Sequence, residues 1–294
     1  MADEARGGRG LGAGAREWAT RAVQWPPARN AIKHGVHAYA GVRGRRLERA
    51  GRLPAIVNIY AASSPKAGSQ WMKALFDHPL VRGKSNLLTL PQLDYQQRLD
   101  RALPLATFVP GLYMSCPEYR RIPKPHEHRV VYMFRDPREL CVSGYYSAIG
   151  THRWTNREVE RFRAELREMP LDEALLALIR DGAPRLREVT TWVDVEDPNV
   201  AKFRLEDVSA SPRDQVPRIL DHCGVTLPAA ELDTVLNDIS RESLQTKDLA
   251  QRGEGSESHY RVNRKSFREL FTPEHHRAIE EIAPGLVERL GYPA

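Results

Sequence analysis

Cysteine is scarce in this chain: three in 294 residues, Cys116, Cys141 and Cys223, an odd number with no close pair. That excludes a disulfide framework and the paired spacing of a structural zinc site, and it points to a reducing compartment. Long apolar runs are missing as well, none approaching the roughly 18 residues of a membrane span. The opening MADEARGGRGLGAG lacks the apolar core of a secretory signal. The expectation is a cytoplasmic protein with no membrane span. A third absence is the GxxxxGK[ST] loop, so the Walker pattern that holds nucleotide phosphates elsewhere is excluded.

What is present fits a soluble globular protein, 41% hydrophobic and 28% charged. The length suits one large α/β domain with additions, or two small ones. Charge is unevenly placed. Residues 1–52 hold eleven Lys/Arg against four Asp/Glu, whereas the rest holds 33 against 34, so the net +6 comes from the N-terminal arm alone. No comparable surplus lies elsewhere, which argues against a nucleic-acid partner. The division expected is a basic arm, 1–52, and a main domain, 53–294. Within the arm, residues 1 to 14 read as disordered. Glu17 to Trp25 reads as a short helix ended by Pro26-Pro27, and Ala31 to Arg49 as a second helix. The arm suits an extension packed on the domain, or on a second subunit of a homodimer, better than a membrane-surface contact, because its apolar face is narrow.

The stretch IVNIYAASSPKAGSQWMKALF, residues 56–76, organises the rest. Val57, Ile59 and Tyr60 form a run of strand length suited to the buried centre of a parallel sheet. Small, turn-forming residues follow, Ser63 to Ser69, and a helical pattern begins at Trp71, Met72, Leu75 and Phe76. A strand, a tight loop and a helix N-terminus gather backbone N–H groups around one point, which suits phosphate or sulfate. A second unit of the same kind is RVVYMFRDPRELCVSGYYS, residues 129–147. Its strand, Val130 to Phe134, stops at Arg135-Asp136-Pro137, and Pro137 suits a first helical turn. Ser143 then lies about two turns along, so a strand-end arginine and a helix-borne hydroxyl can converge on one anion.

Both units carry a family likeness. Pro65-Lys66-Ala67-Gly68-Ser69-Gln70-Trp71 resembles the PKSGTTW loop of sulfotransferases that use 3′-phosphoadenosine 5′-phosphosulfate (PAPS). Residues 134–147 resemble their second signature, FRDPRDLCVSYYH. Glu206-Asp207 after Leu205 is similar to the family's YEDL, with Leu205 in place of Tyr. The resemblance covers residues 55–294 and implies an α/β fold, a central parallel β-sheet flanked by helices of the P-loop-like sulfotransferase type. It implies transfer of a sulfuryl group from PAPS to an acceptor hydroxyl or amine, without a metal, with release of adenosine 3′,5′-bisphosphate (PAP).

Residue by residue, the likeness assigns Lys66, Ala67, Gly68, Ser69, Gln70 and Trp71 to the 5′-phosphate loop. Lys66 faces the leaving oxygen and Trp71 the adenine. Arg135 and Ser143 take the 3′-phosphate, and Ser240 is a further adenine contact. The family's late basic loop, RKG, corresponds to Arg261 with Arg264 and Lys265 as alternatives, since Val262-Asn263 replace its Lys-Gly. The histidine base of the family's KTHLP motif has no counterpart in Thr107-Phe108-Val109-Pro110. Asp94 is the candidate base, with Glu118 and His78 as alternatives. The acceptor, a hydroxylated small molecule, lipid or glycan, has no diagnostic pattern. A nucleotide-dependent phosphotransferase and a non-catalytic PAPS-binding relative are the competing readings.

Overall fold

The computed structural model describes residues 26–92, 99–151, 157–252, 260 and 265–293. At its centre is strand β1 (Asn58–Ser63), every residue of which is buried. β2 (Leu88–Thr89), β3 (Thr107–Leu112), β4 (His128–Phe134) and β5 (Val200–Arg204) complete a sheet of order β2-β3-β1-β4-β5. All four pairings are parallel. The order reverses direction at β1, and an open parallel sheet binds ligands at the carboxyl ends of its strands beside such a switch point.

Alternation along the strands sends side chains into two cores. Ile59 and Ala61 of β1, with Val131 and Met133 of β4, pack on Met72, Leu75 and Phe76 of helix α2 (Ser69–Asp77). Tyr60, Ala62, Val130 and Tyr132 face the other way, onto Tyr119 of α4 (Cys116–Arg121) and Trp192 of α8 (Ala183–Val193). A sheet covered on both faces has no solvated side, hence the unbroken apolar runs in the sequence.

Local structure departs from or adds to the sequence reading at three places. Pro26-Pro27 open a helix: α1 runs Pro26–Arg49, beginning before the start expected at Ala31, and proline is favoured in a first turn because its missing N–H is not needed there. That helix lies on the domain. Arg43 donates to the carbonyls of Ala106 (3.1 Å) and Asn86 (2.8 Å), and a Cβ at Gly44 would come within 2.8 Å of the Leu105 carbonyl. The segment Thr107-Phe108-Val109-Pro110, noted above only for its missing histidine, belongs to β3, the strand beside β1. Its Pro110-Gly111 hid it, and they sit where the pairing with β1 shifts register between Tyr60 and Ala62. Such a bulge is a position where a sheet admits proline and a left-handed glycine, here with φ 64°. Lastly, α10 (Pro212–His222) runs continuously through Pro217. The helix expected over Glu17 to Trp25 and residues 1 to 14 lie outside the described residues. Among the described residues no helix is long and apolar enough to cross a membrane.

Candidate active site

The loop after β1 is built around two left-handed residues. Gly68 has φ 91° and stands immediately before α2, where a Cβ would meet Leu205 Cδ1 at 2.8 Å. Lys66 has φ 73°, a conformation rare for a residue with a side chain. Strain of this kind costs on the order of 1–3 kcal/mol and persists where surrounding structure imposes it, commonly at functional loops. The loop closes through Ala67 N–H to the Ser64 carbonyl (3.2 Å), and the first α-helical bond of α2 is Met72 N–H to Gly68 O (2.9 Å). The amides of Ser69, Gln70 and Trp71 therefore precede the first intrahelical donor, the arrangement that suits an anion. Ser69 is buried, and its Oγ meets the Tyr113 hydroxyl at 2.7 Å. Burial raises the Tyr113 pKa above that of a free phenol, the Ser69 hydrogen bond opposing. Trp71 is half-buried and packs on the α2-side core.

The second unit lies beside the first because Ser63 pairs with Met133, so β1 and β4 end together. Arg135 follows two residues after Met133, and its Nη1 donates to the Lys66 carbonyl at 3.4 Å. Two carboxylates hold the guanidinium: Glu139 at 3.2 Å, one turn along α5 (Pro137–Tyr146), and Glu206 at 3.7 Å, in α9 (Leu205–Ala210). Glu206 is itself anchored, accepting from the Tyr292 hydroxyl (2.7 Å) and from Asp136 N–H (3.3 Å). Ser143 is buried on α5.

Asp136 caps that helix, accepting from Arg138 N–H at 2.9 Å, and pairs through both oxygens with the Arg138 guanidinium at 3.0 and 2.9 Å. The Arg138 guanidinium lies over the Phe267 ring (4.1 Å), and Phe267 N–H donates to Glu139 (3.1 Å). These contacts hold the start of α13 (Phe267–Leu270) against the first turn of α5. Lys265, two residues earlier, is exposed.

Of the residues expected at the site, Lys66 to Trp71 and Arg135 follow the ends of the neighbouring strands β1 and β4, and Ser143 lies further along α5. Ser240 begins α12 (Arg241–Arg252), its Oγ accepting from Ser243 N–H at 3.2 Å. Asp94, Arg261 and Arg264 lie outside the described residues. The two alternative bases have other work. Glu118 closes a capping box at α4, accepting from Ser115 N–H and Oγ, both at 2.8 Å. His78 caps α3 (Pro79–Ser85) through Leu80 N–H and meets Asp238 at 3.1 Å. It stands past the far end of α2, about 14 Å from the loop at ~1.5 Å per residue. Sequence reading marked Glu206 only through its likeness to YEDL, not as a partner of Arg135, and gave no role to Glu139 or Tyr113. The Arg135–Glu139 spacing of four was a usable signal; nothing local tied Tyr113 to Ser69. Among the described residues no group of three His, Cys, Asp or Glu side chains is placed to hold a metal ion.

Comparison with known proteins matches this architecture. A family model described as a sulfotransferase domain matches residues 58–291. The chain is similar to Sulfotransferase 2A6 of Mus musculus, 21% identical over 199 residues, covering 66% of this chain and 63% of that protein, so it spans less than two thirds of that relative. It is also similar to Flavonol 3-sulfotransferase of Flaveria bidentis, 25% identical over 273 residues, with 80% and 82% covered. Among solved structures, mouse sulfotransferase SULT7A1 complexed with PAP aligns with TM-score 0.53 at 14% identity over 78% of this chain and 84% of that one, a likeness of fold. The loop after β1, the arginine after β4 and the match across both place the chain in the sulfotransferase domain family.

Proposed function

We propose that this protein is an enzyme that moves a sulfuryl group from PAPS to a hydroxyl or amine of a small-molecule, lipid or glycan acceptor, releasing PAP. The observation that carries the reading is the direct link between two anion cradles, Arg135 Nη1 to the Lys66 carbonyl. A donor with a 5′-phosphosulfate and a separate 3′-phosphate needs two such cradles. The relative from Flaveria bidentis is named for a flavonol, a hydroxylated small molecule, which favours that acceptor class.

The residues divide the work as follows. Amides at the start of α2 and the Ser69 hydroxyl hold the 5′-phosphate, and Tyr113 fixes Ser69. Trp71 and Ser240 flank the adenine. Arg135, kept in place by Glu139 and Glu206, presents its fork to the 3′-phosphate with Ser143, and Lys265, Arg261 or Arg264 adds charge from the late loop. Lys66 neutralises the negative charge that builds on the oxygen bridging sulfur to the leaving phosphate, a role a preorganised cation performs well in a dry site. The test is thermal unfolding with PAP and with magnesium–ATP, followed by incubation with sulfur-labelled PAPS and a panel of hydroxylated acceptors. Stabilisation by PAP alone, with label transferred, is the expected result. Stabilisation by magnesium–ATP instead would indicate a phosphotransferase, and PAP binding without transfer a non-catalytic relative.

A further inference from the structure

Tyr292 is buried, and packing accounts for its ring. The ring stands edge to face with Phe134 (6.4 Å between centroids, 80°), and the Arg204 guanidinium covers it at 4.5 Å. Packing does not account for the hydroxyl, since a phenylalanine would fill the same space. That hydroxyl donates to Glu206 Oε2 at 2.7 Å, and Glu206 is one of the two carboxylates beside Arg135. Burial first, then the bond to Glu206, push the Tyr292 pKa well above that of a free phenol, so the group stays a donor.

The hydroxyl is fixed by how the chain around it is fastened. The short helix Leu286–Arg289 closes at Gly291, φ 76°, with Tyr292 N–H returning to the Val287 carbonyl at 3.1 Å. Arg204, the last residue of β5, donates through Nη2 to the carbonyls of Leu290 (3.0 Å) and Gly291 (3.1 Å). A Cβ at position 291 would stand 2.8 Å from that nitrogen. On the other side of Tyr292, the Pro293 carbonyl accepts from Arg138 Nη2 at 2.7 Å. One arginine from β5 and one from α5 therefore hold the segment on both sides of the tyrosine.

Glu206 is divided among three groups. Oε2 takes the Tyr292 hydroxyl, whereas Oε1 accepts from Asp136 N–H at 3.3 Å and faces Arg135 Nε at 3.7 Å, beyond hydrogen-bond range. Arg135 gives one Nη1 N–H to the Lys66 carbonyl and one Nη2 N–H to Glu139. A guanidinium carries five N–H groups, so these contacts leave one on each Nη for an incoming anion. A Glu206 carboxylate free to turn would close side-on over Nε and Nη2, the two-bond pairing that arginine and carboxylate favour, and would take one of that pair.

We propose that Tyr292 is a positioning residue for recognition of the nucleotide's 3′-phosphate: by holding Oε2 of Glu206, it keeps that carboxylate from closing on Arg135. The inference rests on the reading of Arg135 as the 3′-phosphate ligand given above. Glu206 stays close enough to balance the Arg135 charge, yet a bound phosphate need not displace it from the guanidinium. The Tyr292 hydroxyl thereby sets how strongly the site prefers a nucleotide with a 3′-phosphate over one without.

Calorimetric titration of the full chain with PAP and with adenosine 5′-phosphate, which lacks the 3′-phosphate, separates this role from a structural one. Tyr292→Phe keeps the ring against Phe134 and under Arg204. It should raise the PAP Kd about tenfold and leave the adenosine 5′-phosphate Kd within about twofold of wild type. Glu206→Gln keeps an acceptor for Asp136 N–H but loses the charge that would close on Arg135. Adding Tyr292→Phe to that variant should change the PAP Kd by less than about twofold, a coupling that a double-mutant cycle reads directly. Equal losses for both nucleotides, no loss for PAP, or the same loss with Glu206→Gln present would overturn the positioning role alone. Wild-type protein that binds the two nucleotides equally would overturn Arg135 as the 3′-phosphate ligand, and this inference with it.

Discussion

The guanidinium of Arg135 donates to the main-chain carbonyl of Lys66, so the loops that end two adjacent strands are hydrogen-bonded to each other. The same side chain is flanked by Glu139 and Glu206, which compensate its charge. Arg135 therefore does two jobs, holding the Lys66 backbone and presenting a cation. Replacing it separates them. Arg135→Lys keeps the charge but loses the planar fork, and it should weaken PAP binding by about 1.5–3 kcal/mol, the value of a hydrogen bond to a charged group. Calorimetric titration with PAP measures this, and wild-type affinity in the lysine variant would refute the fork geometry.

Lys66 predicts a different signature. If, as proposed, its task arises as charge develops on the leaving oxygen, Lys66→Ala should lower kcat by about 10²–10³-fold while PAP affinity falls far less. Steady-state and single-turnover rates with labelled PAPS check this. Undiminished transfer would remove Lys66 from the chemistry.

The Asp136–Arg138 pair is the structural pin of the second unit, with side chains 6% and 3% exposed. Its value lies in being complete, since Arg138 also donates to the Pro293 carbonyl at 2.7 Å. Asp136→Ala leaves a buried guanidinium unpaired and removes a helix cap, so it should destabilise the fold by about 3–5 kcal/mol. Urea unfolding measures the loss, and a change below about 1 kcal/mol would mean the pair behaves as a surface one.

His222, on α10, meets the carbonyls of Val130 and Asn199, both at 3.1 Å, where β4 joins β5. Burial lowers its pKa, the two hydrogen bonds opposing. The folded state then resists a proton that the unfolded chain accepts near pH 6.5. Its contribution is present in full above that pH and is lost as pH falls through it, until the lower folded pKa is reached. His222→Gln should therefore flatten the stability profile on the acid side of neutrality. Denaturant midpoints at pH 7.5 and 5.5 for both proteins test it, and parallel losses would refute the role.

What the sequence disclosed follows from how locally each feature is encoded. β1 and β4 were legible because strands buried on both faces are continuous apolar runs, and the loops after them because small residues and Pro137 punctuate their ends. β3 was not, since its Pro110-Gly111 reads as a turn until a partner strand supplies the bulge. The start of α1 was placed at Ala31 rather than Pro26 because proline marks both ends of helices. The companions of Arg135 show the same division: Glu139 is four residues away, whereas Glu206 comes from beyond the next strand, and Tyr113 reaches Ser69 only because β3 lies beside β1. Contacts made across the sheet leave no periodic trace in either segment.

The parallel register between β1 and β4 also governs when the protein first becomes able to recognise anything. Parallel neighbours are joined by long crossovers and form slowly, because chain entropy is lost before the pairing is gained. Until β4 docks, the cradle following β1 has no guanidinium beside it, however well its own helix has formed. During refolding, nucleotide capture should therefore lag behind the return of helicity, making the ligand a reporter of completed sheet assembly.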